Sequence, residues 1–543
     1  MRILKSLIIA TGLFCTSVNT VAQPLPWVNQ IAVYDLNTYD IHLPFFFASS
    51  KFYDVHLDYL ISNPYTTTLG PYGLSAPVTP EPAYYAVLNG GTLHVPVLQV
   101  GSFYYDVSFV VTSTSPYTFQ ASQVRSIPAP NPPPTAACGF VPQVDSKLAS
   151  LMSRMQAKLA TNVAVTNKPS GAIVAVVKDG QLLSAQGMGM RSKTTYGKET
   201  EPVDRETLFW IASTSKFIAA SGAMTLVDAG VLNVTTPVTS YLPGFVEQSG
   251  LQHLITMDNL LKMKSGLSND GGCYLLSVST SDSPEGCASV ALSPSDNGVL
   301  ANLFQPTTLT LWPWNFFNNT VYGTPGSAPW NYSNWGYMLA GRVMEAVSGK
   351  QYSQIIQDNV FVPANMCLAT YDPYTAIAYD NYAIGSGSQP VDGQCPEPEL
   401  GHDSYAPWMA DELACPARNP NGGVWASAID LGHFAQALMG DLNGQGTMLS
   451  QTAANELINP VTGRANTGGS IWGDTYGYGN FHHTYNGYDI YSHGGGRAGF
   501  GTLFWIIPSA NFAIATAANI GDTNYFKSEL EYAVRCYLDN QCN

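Results

Sequence analysis

The pattern of apolar and polar positions divides the chain into two textures. From residue 24 to about 125 charge is sparse, Tyr, Phe and Val are frequent, and no helical period appears. Segments such as Tyr105 to Val111 alternate between Gly, Pro and Ser boundaries, as strands do when successive side chains face opposite sides. The texture also repeats. Ile41-His42-Leu43-Pro44 through Lys51-Phe52-Tyr53-Asp54-Val55 to Asn63-Pro64-Tyr65-Thr66 aligns without gaps, 52 residues later, with Leu93-His94-Val95-Pro96 through Phe103-Tyr104-Tyr105-Asp106-Val107 to Ser115-Pro116-Tyr117-Thr118. One supersecondary unit used twice is the simplest reading, so residues 23–125 are predicted to form a small all-β repeat domain, a sandwich or a pair of stacked β-units. Its aromatics offer a surface for cell wall or glycan, although aromatic stripes on strands more often face a core.

Ile127-Pro128-Ala129-Pro130-Asn131-Pro132-Pro133-Pro134 favours extended polyproline geometry, which makes 126–142 a semi-rigid linker. Beyond it the period changes. Leu148, Leu151, Met152, Met155 and Leu159 recur at helical spacing. Ala172 to Val177, the turn Lys178-Asp179-Gly180, and Gln181 to Ala185 read as strand, turn, strand. At the far end, Gly501 to Ile507 and Phe512 to Ala518 read as strands and Tyr525 to Leu538 as a closing helix. Strands at both ends with helices between predict an α/β (α+β) domain over 143–543. One antiparallel sheet is then assembled from the extremities, flanked by helices and covered at one edge by a mostly helical insert.

Composition narrows the context. At 543 residues the chain exceeds one ordinary core, and 23 basic against 38 acidic residues leave a formal charge of −15. That charge argues against nucleic acid or anionic membrane as partner, since phosphates reward Lys and Arg, and suits a small neutral or cationic substrate. Arg2 and Lys5, the apolar run Leu7 to Phe14, and Thr20-Val21-Ala22 before Gln23 have the layout of a secretory signal peptide over 1–22. The apolar run is too short to span a bilayer, and no transmembrane segment is expected in the mature, secreted or periplasmic chain. Phe14 stands before Cys15 where a lipidated cysteine follows a small residue, which weighs against lipidation.

Removing the signal leaves eight cysteines, an even number that reads as disulfides in an exported chain. Local spacing suggests Cys273 with Cys287, Cys395 with Cys415, Cys536 with Cys542, and by remainder Cys138 with Cys367. No cysteine pair has zinc-knuckle spacing, and no metal or other cofactor is expected. His482-His483 and His402-Asp403 are read as solvated or structural.

Three short motifs carry chemistry. Leu208 to Ala212 lead into Ser213-Thr214-Ser215-Lys216, followed by helix formers to Ala229 and a stop at Gly230. If Ser213 opens that helix, Lys216 at i+3 shares its face, and a buried amine with a lowered pKa can take the hydroxyl proton. The spacing is common by chance but occurs once here. In Trp330-Asn331-Tyr332-Ser333-Asn334, ahead of a helix from Met338 to Val347, Tyr332 is placed as a proton relay and Asn334 as an amide partner for substrate. Tyr379-Asp380-Asn381 and Tyr478-Gly479-Asn480 are rival copies, but neither precedes a helical pattern. Finally, His493-Gly494-Gly495-Gly496-Arg497 precedes the strand near Gly501. Its glycines let backbone approach a substrate, and an N–H there can join that of Ser213 as an oxyanion hole.

In this order the three motifs resemble the serine β-lactamase and penicillin-binding-protein superfamily, in its class C-like esterase and D-peptidase branch, over roughly residues 145 to 540. Lys264-Ser265-Gly266-Leu267, Gly422 to Leu431 and Tyr476-Gly477-Tyr478-Gly479 add to the likeness. The resemblance implies that Ser213 is acylated and that Lys216 and Tyr332 shuttle protons. Asn334 would bind the acyl side chain, and His493 to Gly496 would line the far wall, with the Gly496 and Ser213 N–H groups on the oxyanion. Members that act on β-lactams usually carry Lys-Thr-Gly where this chain has His493-Gly494-Gly495, so ester or small amide hydrolysis is expected over β-lactam hydrolysis; Arg497 is a candidate replacement cation. Two insertions, 268–329 and about 386–420, would rim the site. The alternatives are a β-lactamase or D-Ala-D-Ala carboxypeptidase and, from another class, a surface or glycan-binding protein whose β-repeats do the work.

Overall fold

The computed structural model describes eight strands between residues 32 and 127 and most of residues 146–542, leaving out among others 192–200, 244–249, 268–324, 386–418 and 464–474. The signal peptide, most of the 126–142 linker beyond the end of the last N-terminal strand at Ile127, most of both insertions and Cys138, Cys273, Cys287, Cys395 and Cys415 lie outside the described residues.

Eight N-terminal strands, β1 (Ala32–Tyr34), β2 (Asp40–Ala48), β3 (Lys51–Asp58), β4 (Thr67–Leu69), β5 (Ala86–Asn89), β6 (Thr92–Val100), β7 (Phe103–Thr114) and β8 (Tyr117–Ile127), pair in the order β1-β2-β3-β4-β8-β7-β6-β5. The 52-residue repeat is visible in the backbone: β2 shifts register between Leu43 and Phe46 against β3, and β6 shifts between Val95 and Leu98 against β7. Each irregularity holds one proline, Pro44 or Pro96, which has no N–H for the ladder. Two parallel pairings, β1 with β6 and β2 with β5, cross between the repeats.

The second sheet draws on both ends of the C-terminal region, as its sequence predicts. Strands β9 (Gly171–Lys178) and β10 (Gln181–Gly189) form a hairpin over Asp179 and Gly180, both in the left-handed region that a two-residue turn needs. The others are β13 (Thr462–Gly463), β14 (Thr475–Tyr476), β15 (Phe481–Tyr485), β16 (Tyr488–Arg497), β17 (Phe500–Ile507) and β18 (Phe512–Ala518). The order is β10-β9-β18-β17-β16-β15-β14-β13, all antiparallel. The mostly apolar strands β9, β17 and β18 are buried on both faces. Helices α1 (Ser146–Ala160) and α8 (Lys527–Asp539) cover one face, with Leu148, Leu151, Met155 and Leu530 in its core. Cys536 and Cys542 are disulfide-bonded at the end of α8. Cys367 is also disulfide-bonded, to a cysteine outside the described residues.

The other face carries the helical region: α2 (Ser215–Asp228), α3 (Met257–Leu261), α4 (Asn334–Ser348), α5 (Asn419–Gly422), α6 (Ala428–Leu442) and α7 (Gln451–Ile458). A two-stranded ribbon, β11 (Phe209–Trp210) with β12 (Trp425–Ala426), joins its distant parts. Helix α2 is buried nearly all round, as its lack of a polar face requires. Its small residues let neighbours approach: a Cβ on Gly222 would lie 2.3 Å from the Ile356 Cδ1. Helix α4 begins and ends on its own chemistry, with Ser333 Oγ accepting from the Gly336 N–H at 2.9 Å and Gly349 in the left-handed region.

Candidate active site

Ser213 lies in the 3-10 turn Ala212–Thr214, which runs directly into α2. The turn is pinned by three bonds: Ile211 N–H to Val424 O at 3.0 Å, Thr214 N–H to Ile211 O at 3.2 Å, and Val424 N–H to Ser215 Oγ at 3.1 Å. Behind it Trp210, Trp425 and Phe500 pack as a buried ring cluster, and Trp210 Nε1 donates to Gly422 O. Ala212 has a φ of 44°, where Cβ crowds the backbone at a cost of about 1–2 kcal/mol. That bend leaves Ser213 half-buried while Ala212, Thr214, Ser215 and Lys216 are buried.

Lys216 stands next to Ser213. Its side chain is 0% exposed, Nζ is 3.0 Å from Ser213 Oγ, and it donates to the Asn421 carbonyl at 2.7 Å. The rings of Tyr332 and Tyr337 lie 4.8 and 5.8 Å from the same nitrogen. Because Asn421 O can only accept, it claims one N–H of the amine and orients the rest toward Ser213. Tyr332 and Asn334, both half-buried, flank the buried Ser333 that caps α4. The structure therefore brings Ser213, Lys216 and Tyr332 together.

The glycine run differs from the sequence reading in one respect: it does not precede a strand but belongs to β16, paired to β17 from Gly494↔Leu503 to Gly496↔Gly501. Strand β15 begins at Phe481, opposite Ser492, so no β15 partner faces the run. The edge packs instead against the nucleophile turn, where a Cβ on Gly495 would lie 2.0 Å from Ile211 O and 3.0 Å from Ser213 N. Gly494 and Gly495 are buried and Gly496 is exposed. His493 does not line the wall as a side chain. It is 1% exposed, with Nδ1 2.7 Å from Gly494 O and Nε2 3.4 Å from the Tyr476 hydroxyl. A carbonyl accepts only, so Nδ1 carries the proton and Nε2 accepts from Tyr476. Burial, reinforced by the Lys216 charge, lowers the imidazole pKa to about 3. The side chain of Arg497, the candidate replacement cation, lies outside the described ones.

The rival tyrosines have structural partners. Tyr379 OH donates to Glu206 at 3.5 Å and Asn381 to Asp204 at 3.0 Å. Tyr478 OH donates to Asp258 at 2.7 Å, and Gly479, at a φ of 72°, lets the turn reach Lys216 O, which a Cβ would approach to 2.4 Å. Sequence reasoning missed three contributors. The Asn421 carbonyl has no signature because every residue carries one. Tyr476 stood inside a quoted motif without a role, and Tyr337 lies just before the helix expected from Met338; Tyr337 donates to Leu261 O at 2.9 Å and Tyr476 to His493.

Comparison with known proteins agrees with this geometry. A family model described as Beta-lactamase matches residues 159–538. Penicillin-binding protein 4 of Amycolatopsis lactamdurans is 24% identical over 368 residues, 66% of this chain and 83% of that protein. Esterase EstB of Burkholderia gladioli is 28% identical over 327 residues, 57% of this chain and 74% of that protein. The D-amino acid amidase of Ochrobactrum anthropi SV3, solved with L-phenylalanine amide, shares the fold with a TM-score of 0.53 at 18% identity, over 73% of this chain and 100% of that one. The chain spans between 58% and 83% of the length of three penicillin-binding relatives. With the family model covering well over half its length, and with a seryl hydroxyl held against a buried lysine in that fold, this chain belongs to the Beta-lactamase family and is a serine hydrolase.

Proposed function

We propose that this protein is exported and hydrolyses esters, small amides or peptides containing D-amino acids through an acyl-enzyme on Ser213. The observation that carries the reading is the fully buried Lys216 amine, 3.0 Å from Ser213 Oγ and anchored by Asn421 O. In its neutral form Lys216 takes the Ser213 proton as the Oγ–carbon bond forms. Backbone N–H groups of Ser213 and Gly496 hold the oxyanion, and Tyr332 passes the proton to the leaving oxygen or nitrogen as its bond to carbon breaks. Water, activated by the same groups, then releases the acid and frees Ser213. Asn334 binds the acyl side chain, and Gly494 and Gly495 let a substrate backbone lie along β16. Residues 1–22 direct export, and the mature chain begins at Gln23. Cell-wall or glycan binding by residues 23–125 is an added role for the repeat domain.

The alternative β-lactamase or D-Ala-D-Ala carboxypeptidase activity is disfavoured by the neutral, buried His493 at the position where a cation would meet a carboxylate. Intact-mass measurement of the exported protein and its Ser213→Ala variant, after a fluorophosphonate and separately a penicillin, tests all of this. One fluorophosphonate adduct on the parent and none on the variant is expected, with no lasting penicillin adduct and a mass that starts at Gln23. A folded parent that accepts neither reagent would sink the catalytic reading in favour of a binding protein.

A further inference from the structure

Around Ser213 the titratable side chains of Lys216 and His493 are turned inward. Lys216 is 0% exposed with its amine engaged by Ser213 and Asn421, and His493 is 1% exposed with both ring nitrogens facing protein atoms. What reaches the surface there is different in kind: the exposed Gly496 and the half-buried rings of Trp330 and Tyr332. The Trp330 indole is braced from behind by two buried rings, Tyr476 at 5.7 Å and Phe481 at 6.1 Å between centroids. It stands 6.4 Å from Tyr332, whose ring is 4.8 Å from Lys216 Nζ. Asn331 positions the entry: its N–H donates to Met263 O at 3.1 Å and its Nδ2 to Leu267 O at 3.3 Å, so the segment between the two rings is tied to the helical region.

We propose that Trp330 is a specificity-determining residue, forming with Tyr332 a rigid ring platform that receives an uncharged aromatic group of the substrate beside the scissile bond. The inference rests on Ser213 being the nucleophile. Rings stack offset or edge-to-face on such a platform without the ordering cost of flexible side chains. A carboxylate placed there would lose water against two uncharged rings, in a protein of net charge −15.

The test uses phenyl acetate, vinyl acetate and 3-acetoxybenzoate with the full exported protein, followed by pH-stat. The parent should prefer phenyl acetate to 3-acetoxybenzoate by about tenfold in kcat/KM, after correction for alkaline reactivity. Trp330→Ala should lower the phenyl-to-vinyl ratio of kcat/KM by about tenfold, acting through KM, and Trp330→Phe should restore most of it. Equal turnover of the carboxylated ester by the parent, or a ratio unchanged in Trp330→Ala, overturns the proposal. Fluorophosphonate labelling separates the two levels: a parent that labels on Ser213 but shows no preference refutes only the platform, whereas one that does not label refutes the serine reading itself.

Discussion

Lys216→Ala removes the group 3.0 Å from Ser213 Oγ and leaves the Asn421 carbonyl without that donor. Acylation is expected to slow by about 10²–10⁴-fold, read as the rate of fluorophosphonate labelling, and stability to fall by about 1–3 kcal/mol in urea titration. His493 makes a separate prediction about pH. Its folded pKa is about 3, against about 6.5 in the unfolded chain, so below pH 6.5 the unfolded state binds the extra proton. Stability from this group is therefore full above pH 6.5 and is lost as pH falls toward 3, and His493→Gln should flatten that acid slope. Asp441 acts in the opposite direction. Burial pushes its carboxyl up to about 6, so the native state holds the extra proton between about pH 4 and 6, and stability declines there as pH rises. Asp441→Asn should remove that opposing slope. At this scale the approach of Lys216 to Ser213 was legible because the motif sets the two at a fixed offset on one turn; Tyr332 lies beside Lys216, and Asn334 is half-buried at the start of α4. The partners of His493 were not legible, because Tyr476 and Gly494 O meet it through the fold rather than by an offset a motif could show.

Elements show the same division. The start and stop of α4 are written locally, in the Ser333 cap and the left-handed Gly349, and helix α2 stops as expected before Gly230 at a φ of 67°. Strand β16 is not written locally. Glycine is a poor strand former, and it is the ladder to β17 that makes Gly494–Gly496 extended. At Gly495 that edge leaves no room for a side chain: Gly495→Ala would press on Ile211 O and Ser213 N, and labelling of Ser213 should fall by at least about 100-fold while the far-ultraviolet spectrum is retained. Gly222→Val, in the middle of α2, meets the Ile356 side chain and should destabilise by about 1–3 kcal/mol through overpacking, read in the same urea titration.

For the molecule as a whole, the disulfide between Cys536 and Cys542 closes a short loop at the end of α8. Cys542→Ser should cost about 2 kcal/mol by releasing that constraint on the unfolded chain, measurable as a lower melting temperature. The sequence by itself determined the alternating and helical periods, the 52-residue repeat, and the order of three short motifs. Those are local or periodic properties, and local sterics and amphipathicity enforce them without reference to distant residues. Only the tertiary structure decided which strands of the shared sheet are neighbours, β9 beside β18 in register from Phe512↔Lys178 to Ala518↔Ala172, and that Asn421 O reaches Lys216. It also decided that the histidine of the glycine run faces inward, because these contacts follow from burying one shared core rather than from any offset along the chain.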